Sequence, residues 1–189
     1  MAIANQEMIR DNNRRLVLEY IVNNPPISRA ALAKELHLTK ATISNIVQEL
    51  MDQNLVAEIG SAQTALGRKP ILMEFQKKCG YAFSIDVHPR QIITLTSDLK
   101  GEDCHLREYP FREEDCLLEL LRRIIKETIP RCQDAPYGIV GISIGIYGVV
   151  RDNEIIFTPY YPLPEPHLGK ILAEEFGIPV TVELSLIHI

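Results

Sequence analysis

Two short amphipathic segments, separated by a tight polar turn, constrain this sequence more than any other feature. Ser28 precedes the first segment and Thr39 precedes the second. A hydroxyl at such a position accepts a hydrogen bond from a backbone N–H of the first helical turn, so both residues are predicted N-caps. The sequence therefore predicts a helix of eight or nine residues ending near His37, a turn and a second helix. Apolar residues at helical spacing follow each cap, namely Ala31, Leu32 and Leu36, then Ile43, Ile46, Val47 and Leu50.

The second of these helices also presents small or hydrogen-bonding side chains opposite its apolar stripe. The major groove of DNA is about 12 Å wide, and a helix that enters it needs short side chains or groups that hydrogen-bond to base edges. We therefore predict a helix-turn-helix, with the bases read by Ser44, Asn45 and Gln48 and the backbone held by Lys40. The predicted contact residues of this region are Arg29, Lys40, Ala41, Thr42, Ser44, Asn45 and Gln48.

A longer helix is predicted before this pair, over residues 5–22, and a hairpin after it, with strands over 55–59 and 71–75. The hairpin loop contains Gly67, Arg68, Lys69 and Pro70. Its two cations would meet phosphates at the tip of a wing, where basic side chains supply sequence-independent affinity. A polar helix face or an isolated basic pair usually means only solvent exposure. The ordered set of capped helix, turn, capped helix and basic-tipped hairpin favours DNA binding.

Three strings within this region carry a family resemblance. They are Ile27-Ser-Arg-Ala-Ala-Leu-Ala33, Leu38-Thr-Lys-Ala-Thr-Ile-Ser44 and Gly67-Arg-Lys-Pro70. The sequence resembles the winged-helix regulators of the ROK family (repressors, uncharacterised reading frames and sugar kinases), specifically its xylose-repressor-like members. The resemblance extends to Glu183. It implies a fold of two parts: an α+β winged helix-turn-helix over residues 1–76, then an α/β actin-like N-terminal lobe over 79–183.

Periodicity in the second part agrees with such a lobe. Strands are predicted over residues 81–86, 91–99, 104–109, 139–144 and 178–183, and helices over 114–129 and 168–176. The final residues, 184–189, depart from the family pattern at once. The resemblance therefore implies a truncated lobe whose tail is the product of truncation or frameshift.

Charge and cysteine content narrow the classes of protein further. Residues 1–78 carry a formal charge of +2 and residues 79–189 carry −7, which together give the −5 of the chain. The acidic part would repel nucleic acid, whereas the first part would not. The apolar runs are shorter than the roughly 20 residues that cross a bilayer, and no secretory signal opens the sequence, so a cytoplasmic protein is expected. Four cysteines without a C-x-x-C pair predict no zinc site and no disulfide.

The resemblance also raises the alternative of an ATP-dependent sugar kinase. Kinases of the family carry a D-x-G-x-T loop, in which backbone N–H groups approach the ATP phosphates. Here the corresponding run contains Asp86, Val87, His88 and Pro89. A bulky side chain replaces the glycine, and proline removes an amide donor. We therefore expect no nucleotide cofactor and no enzymatic activity.

A second catalytic motif, the G-x-S-x-G of serine hydrolases, occurs at residues 141–145. That motif requires a sharp turn from strand to helix with the serine at the turn. Ser143 instead lies inside a predicted apolar strand, which favours a structural role. His88, His105, His167 and His188 are scattered in the sequence, and each is interpreted as a surface or packing residue.

The expected function is that of a sugar-responsive repressor of carbohydrate-utilisation genes, acting as a homodimer or higher oligomer on a double-stranded operator. The family closes its lobe with F-G-x-P-V-x-V-E-N-D-A-N, and this chain matches over residues 176–183 before the Asn and Asp are lost. The resemblance thus implies an incomplete sugar site. A third hypothesis is a fragment that binds DNA weakly and senses no ligand.

Overall fold

The computed structural model of the chain describes residues 2–61, 70–112, 114–162 and 165–185, with the side chains of residues 2–5 outside that description. The chain divides after Gln76 into two compact units, residues 1–76 and 77–189. Each unit has its own cluster of buried apolar side chains. Among the described helices, none combines the length and the apolar composition that a bilayer span requires.

The N-terminal unit consists of three helices and a three-stranded antiparallel sheet with the order β1-β3-β2. The predicted three helices and hairpin are confirmed, and the first helix is longer than the predicted span of residues 5–22. The two-residue strand β1, in which Ile27 pairs with Met73, is absent from the elements predicted above. The elements are α1 (Ala2–Asn23), β1 (Ile27–Ser28), α2 (Arg29–Glu35), α3 (Lys40–Asp52), β2 (Val56–Ser61) and β3 (Ile71–Phe75).

The C-terminal unit is built on a mixed five-stranded sheet with the order β10-β7-β4-β5-β6. The central strand β4 runs parallel to β7 and antiparallel to β5. A separate two-stranded hairpin consists of β8 and β9. The elements are β4 (Tyr81–Val87), β5 (Gln91–Asp98), β6 (Cys104–Pro110), α4 (Leu117–Thr128), β7 (Ile139–Ile146), β8 (Val149–Arg151), β9 (Glu154–Phe157), α5 (Leu168–Phe176) and β10 (Val180–Leu184).

Alternation along the strands of this sheet separates a buried face from an exposed one. Phe83 and Ile85 of β4 are buried in one cluster with Leu121 and Ile124 of α4, whereas Ser84 points to the other face and is exposed. The helix α4 begins at Leu117, three residues after the predicted start. The predicted fold class, a winged helix-turn-helix followed by an α/β lobe, is confirmed.

Candidate nucleic-acid interface

Side-chain caps define where the two helices of the helix-turn-helix begin. The Ser28 hydroxyl accepts a hydrogen bond from the Ala31 backbone N–H (3.2 Å), and the Thr39 hydroxyl accepts one from the Thr42 N–H (3.1 Å). Each bond satisfies a donor that a helix leaves unpaired in its first turn. Both predicted caps are confirmed, and they fix the starting points of α2 and α3.

The turn between α2 and α3 requires a left-handed backbone. His37 has a φ of 54°, a conformation that favours glycine because a Cβ atom is crowded there. The Leu36 N–H donates to the Leu32 carbonyl (3.0 Å), which closes the last turn of α2 before the reversal. The chain therefore leaves α2 at Glu35 and re-enters helix at Lys40 with four residues between them.

The helix α3 buries one stripe of side chains and exposes the opposite one. Ile43, Val47 and Leu50 have no exposed surface, and Ile46 is 4% exposed. Thr42 is half-buried, and its hydroxyl lies 2.9 Å from the Thr39 hydroxyl. The structure brings the remaining predicted residues of α3 together on one exposed face, which consists of Lys40, Ala41, Ser44, Asn45 and Gln48. We call this set the α3 face.

Arg29 differs from the α3 face in its surroundings. Its guanidinium Nη1 donates to Glu58 Oε1 of β2 (2.9 Å), and Nη2 lies 3.4 Å from the sulfur of Met51. The side chain is 29% exposed. A phosphate contact would require Arg29 to leave this carboxylate, so the pairing disfavours the contact that the sequence predicted for it.

The helix α1 also contributes to this surface, which sequence reasoning did not anticipate. Arg10 forms an ion pair with Glu49, and Arg14 hydrogen-bonds to the Gln53 side chain. These pairs join α1 to α3 along the edge of an open groove of about 660 Å³. The sequence contained one signal for these pairs, because Arg10 and Arg14 are four residues apart and so are Glu49 and Gln53. Such residues lie on one side of a helix. The groove residues include Gln6, Arg10 and Asn13 of α1 with Ala41, Asn45 and Gln48 of α3.

The wing is described only at its base. The strands β2 and β3 pair in antiparallel register, with a bulge between Glu58 and Gly60 where Gly60 has a φ of 133°. This confirms the predicted hairpin. Arg68 and Lys69, the predicted phosphate contacts at its tip, lie outside the described residues. Their role stays a prediction.

Side chains contact one another at the end of β4 and in the loop after it, where a kinase would bind the phosphates of its nucleotide. His88 Nε2 lies 2.8 Å from Asp86 Oδ2, and the His88 ring is tilted by 43° against the Tyr147 ring, with the ring centroids 5.1 Å apart. Both carboxylate oxygens of Asp86 are buried. A Cβ atom added to Gly145 would lie 2.8 Å from Asp86 Oδ1, so the neighbouring strand leaves little room. Burial raises the pKa of nearby Tyr161 to about 12.

The G-x-S-x-G motif lies in a strand and not at a strand-to-helix turn. Ser143 is in the interior of β7, in register with Ser84 on one side and Thr181 on the other. The next element after β7 is the hairpin of β8 and β9. This arrangement lacks the helix N-terminus that a nucleophile elbow requires. In the part of the chain that the structure describes, no group of three His, Cys, Asp or Glu side chains could hold a metal ion.

Both units have similar counterparts among known proteins. The family model of the MarR family matches residues 12–64, which contain the helix-turn-helix. The chain is 36% identical to a xylose repressor of Bacillus spizizenii, with a match that covers 97% of this chain and 48% of that protein. A xylose repressor of Lactiplantibacillus pentosus is 32% identical, with 93% and 46% covered. A crystal structure of a ROK family transcriptional regulator, a homologue of the E. coli MLC protein, superposes with a TM-score of 0.69 at 26% identity, covering 93% of this chain and 46% of that one.

Over most of its length, the chain is similar to curated xylose repressors and to a ROK family transcriptional regulator of known structure. Residues 12–64 match the MarR family model, and the fold of both units matches that of the ROK regulator. The chain spans about half the length of the curated relatives that it matches. The predicted resemblance to regulators of the ROK family is therefore confirmed for both units.

Proposed function

We propose that this protein is a ROK-type, sequence-specific DNA-binding regulator that represses carbohydrate-utilisation genes in response to a sugar. The observation that carries the proposal is the α3 face. Ala41, Ser44, Asn45 and Gln48 are exposed together on a helix whose opposite stripe is fully buried. A rigid, capped helix with short polar side chains fits the major groove, where base edges offer hydrogen-bond donors and acceptors.

Lys40 lies in the first turn of α3, at the edge of this face, and we assign it to the phosphate backbone. Arg68 and Lys69 have the same proposed role at the wing tip. Contacts of this kind position a protein on the duplex and supply affinity, whereas base contacts supply specificity. The regulator would act as a homodimer that places two α3 helices in successive major grooves, roughly 34 Å apart.

A sugar is the proposed effector, because the matched relatives include proteins named xylose repressor and N-acetylglucosamine repressor. We further propose that the protein is not an enzyme and acts in the cytoplasm. The Asp86–His88 pair, 2.8 Å apart, occupies the loop where a kinase would need free backbone N–H groups for ATP phosphates.

The test is binding to a duplex selected by the protein from a randomised library, compared with an unselected duplex. A specific regulator binds its site at least about 10³-fold more tightly than random DNA. The double variant Ser44→Ala/Asn45→Ala should lose this preference, while Lys170→Ala on α5 should keep it. Equal affinity for the selected and unselected duplexes would contradict the proposal.

The sugar response needs a separate measurement. Isothermal titration with a panel of aldoses should give heat for one sugar, and that sugar should weaken binding to the selected duplex. Heat without an effect on DNA binding would contradict the proposed response. DNA binding without heat from any aldose would favour the hypothesis of a fragment that senses no ligand. Transfer of phosphate from ATP to an aldose would establish the kinase instead.

A further inference from the structure

Gln48, on the α3 face, is held by a neighbour on the same helix. Its Nε2 donates a hydrogen bond to Asp52 Oδ1 at 2.9 Å, and both side chains are exposed. Residues four apart lie one above the other on a helix, so the contact requires no distortion. An ionised carboxylate only accepts hydrogen bonds. The amide nitrogen of Gln48 must therefore face Asp52, and its carbonyl oxygen must face away.

This orientation determines what Gln48 can still bind. We place the N–H that is anti to the carbonyl oxygen on Asp52, so the amide retains that oxygen and the N–H beside it. Of the four bases, only adenine presents a donor (N6) beside an acceptor (N7) in the major groove. Guanine presents two acceptors, of which O6 would face the Gln48 oxygen. Cytosine offers one donor at N4 and thymine one acceptor at O4, so neither matches both groups of the amide.

The surroundings of Gln48 favour a contact with a base over a contact with a phosphate. Ala41, Ser44 and Asn45 on the same face have shorter side chains than Gln48. The neighbouring carboxylate of Glu49 is paired with Arg10. The carboxylate of Asp52, by contrast, would lie near phosphates in the proposed complex, and its negative charge would oppose DNA binding. Its hydrogen bond to Gln48 supplies a reason for a carboxylate at this position.

We infer that Gln48 reads an adenine in the major groove and that Asp52 is its positioning residue. The inference rests on the proposed function, since it specifies which base the α3 face selects. Asp52 holds the amide in the orientation that adenine requires before the duplex arrives. Binding then does not have to order this side chain, and an inverted amide that would suit other pairings is excluded.

The experiment begins with duplexes that the wild-type protein selects from a randomised library. One position of each half-site should be adenine, preferred over the other bases by about tenfold or more. Gln48→Ala should abolish the preference at that position and leave the other positions unchanged. Replacing that adenine with 7-deazaadenine, which lacks the N7 acceptor, should weaken the wild type about tenfold and leave the Gln48→Ala variant unaffected.

Two variants of Asp52 separate positioning from simple charge. Asp52→Ala should bind unselected duplex more tightly, because a negative charge is removed, yet lose most of the adenine preference. Asp52→Asn also removes the charge and can accept from Gln48 through its carbonyl oxygen, but its NH₂ group can instead donate to the Gln48 oxygen, so it should retain part of the preference and more than Asp52→Ala. If Asp52→Ala keeps the full preference, or both variants change it equally, the positioning role is refuted.

The outcomes also distinguish this inference from the proposed function. If the wild type selects no sequence at all, the proposed function itself fails. If it selects a sequence in which every position is indifferent to Gln48→Ala, the regulator stands and the reading of adenine by Gln48 is refuted. A 7-deazaadenine penalty of equal size in the wild type and in Gln48→Ala refutes it as well.

Discussion

Replacement of Lys40 by alanine tests the electrostatic part of the account. Lys40 is exposed in the first turn of α3, where a cation that neutralises one phosphate releases one condensed counterion. Each such contact changes the slope of log K against log[salt] by about 0.9. Between roughly 50 and 200 mM salt, the affinity of the wild type should therefore fall about 3.5-fold more than that of Lys40→Ala. The reduction in slope should be the same on selected and unselected duplexes, because phosphates carry no sequence information.

The assay is fluorescence anisotropy of a labelled duplex at several salt concentrations. Lys170→Ala serves as the matched control, because it makes the same change in net charge on an exposed lysine of α5 and should leave the slope as it is. An unchanged slope for Lys40→Ala would refute the phosphate contact. So would a loss of affinity confined to the selected duplex, since that result would place Lys40 against a base.

Three further predictions concern the stability of the two units. Thr39→Ala should lower the free energy of unfolding by about 1 kcal/mol in a urea titration and Thr39→Ser should not, because serine keeps the capping oxygen; equal losses would contradict the cap. Gly148→Ala should lower the free energy of unfolding by about 1–3 kcal/mol in the same titration, since the new Cβ would lie 2.0 Å from the Phe157 carbonyl oxygen. An unchanged free energy of unfolding would contradict this close contact. Arg122 donates a hydrogen bond to Glu175 and lowers the pKa of that carboxyl, so its contribution to stability is present at neutral pH and is lost as the pH falls through the folded-state pKa. Glu175→Gln should therefore destabilise the protein at pH 7 and lose this effect once the pH lies below the folded-state pKa of Glu175, and an effect independent of pH would contradict the pairing.

Local chemistry made the helix-turn-helix predictable from the sequence. The caps Ser28 and Thr39 and the apolar spacing from Ile43 to Leu50 act within a few residues of the chain. Such signals do not depend on how the rest of the chain folds. The strand β1 escaped prediction for the opposite reason. Two residues carry no measurable periodicity, and Ile27 becomes a strand residue only because β3 is beside it.

The partners of the site residues could not be predicted, because they depend on distant parts of the chain. Arg29 is among the predicted DNA contacts, yet it pairs with Glu58, 29 residues further along the chain. Arg10 pairs with Glu49 across 39 residues. The Gln48–Asp52 bond is different, since its i,i+4 spacing was visible in the sequence. Only the exposure of both side chains shows that this pair lies on the surface that would meet a duplex.

The most direct test of the central claim is to map the surface that changes when a duplex is added. Backbone amide chemical shifts, followed at low ionic strength during titration with a selected duplex, should change most in the first three turns of α3, from Lys40 to Gln48. Changes in the wing should accompany them, while the sheet of the C-terminal unit should change least. An absence of binding at low salt, or changes that centre on that sheet and omit α3, would contradict the account.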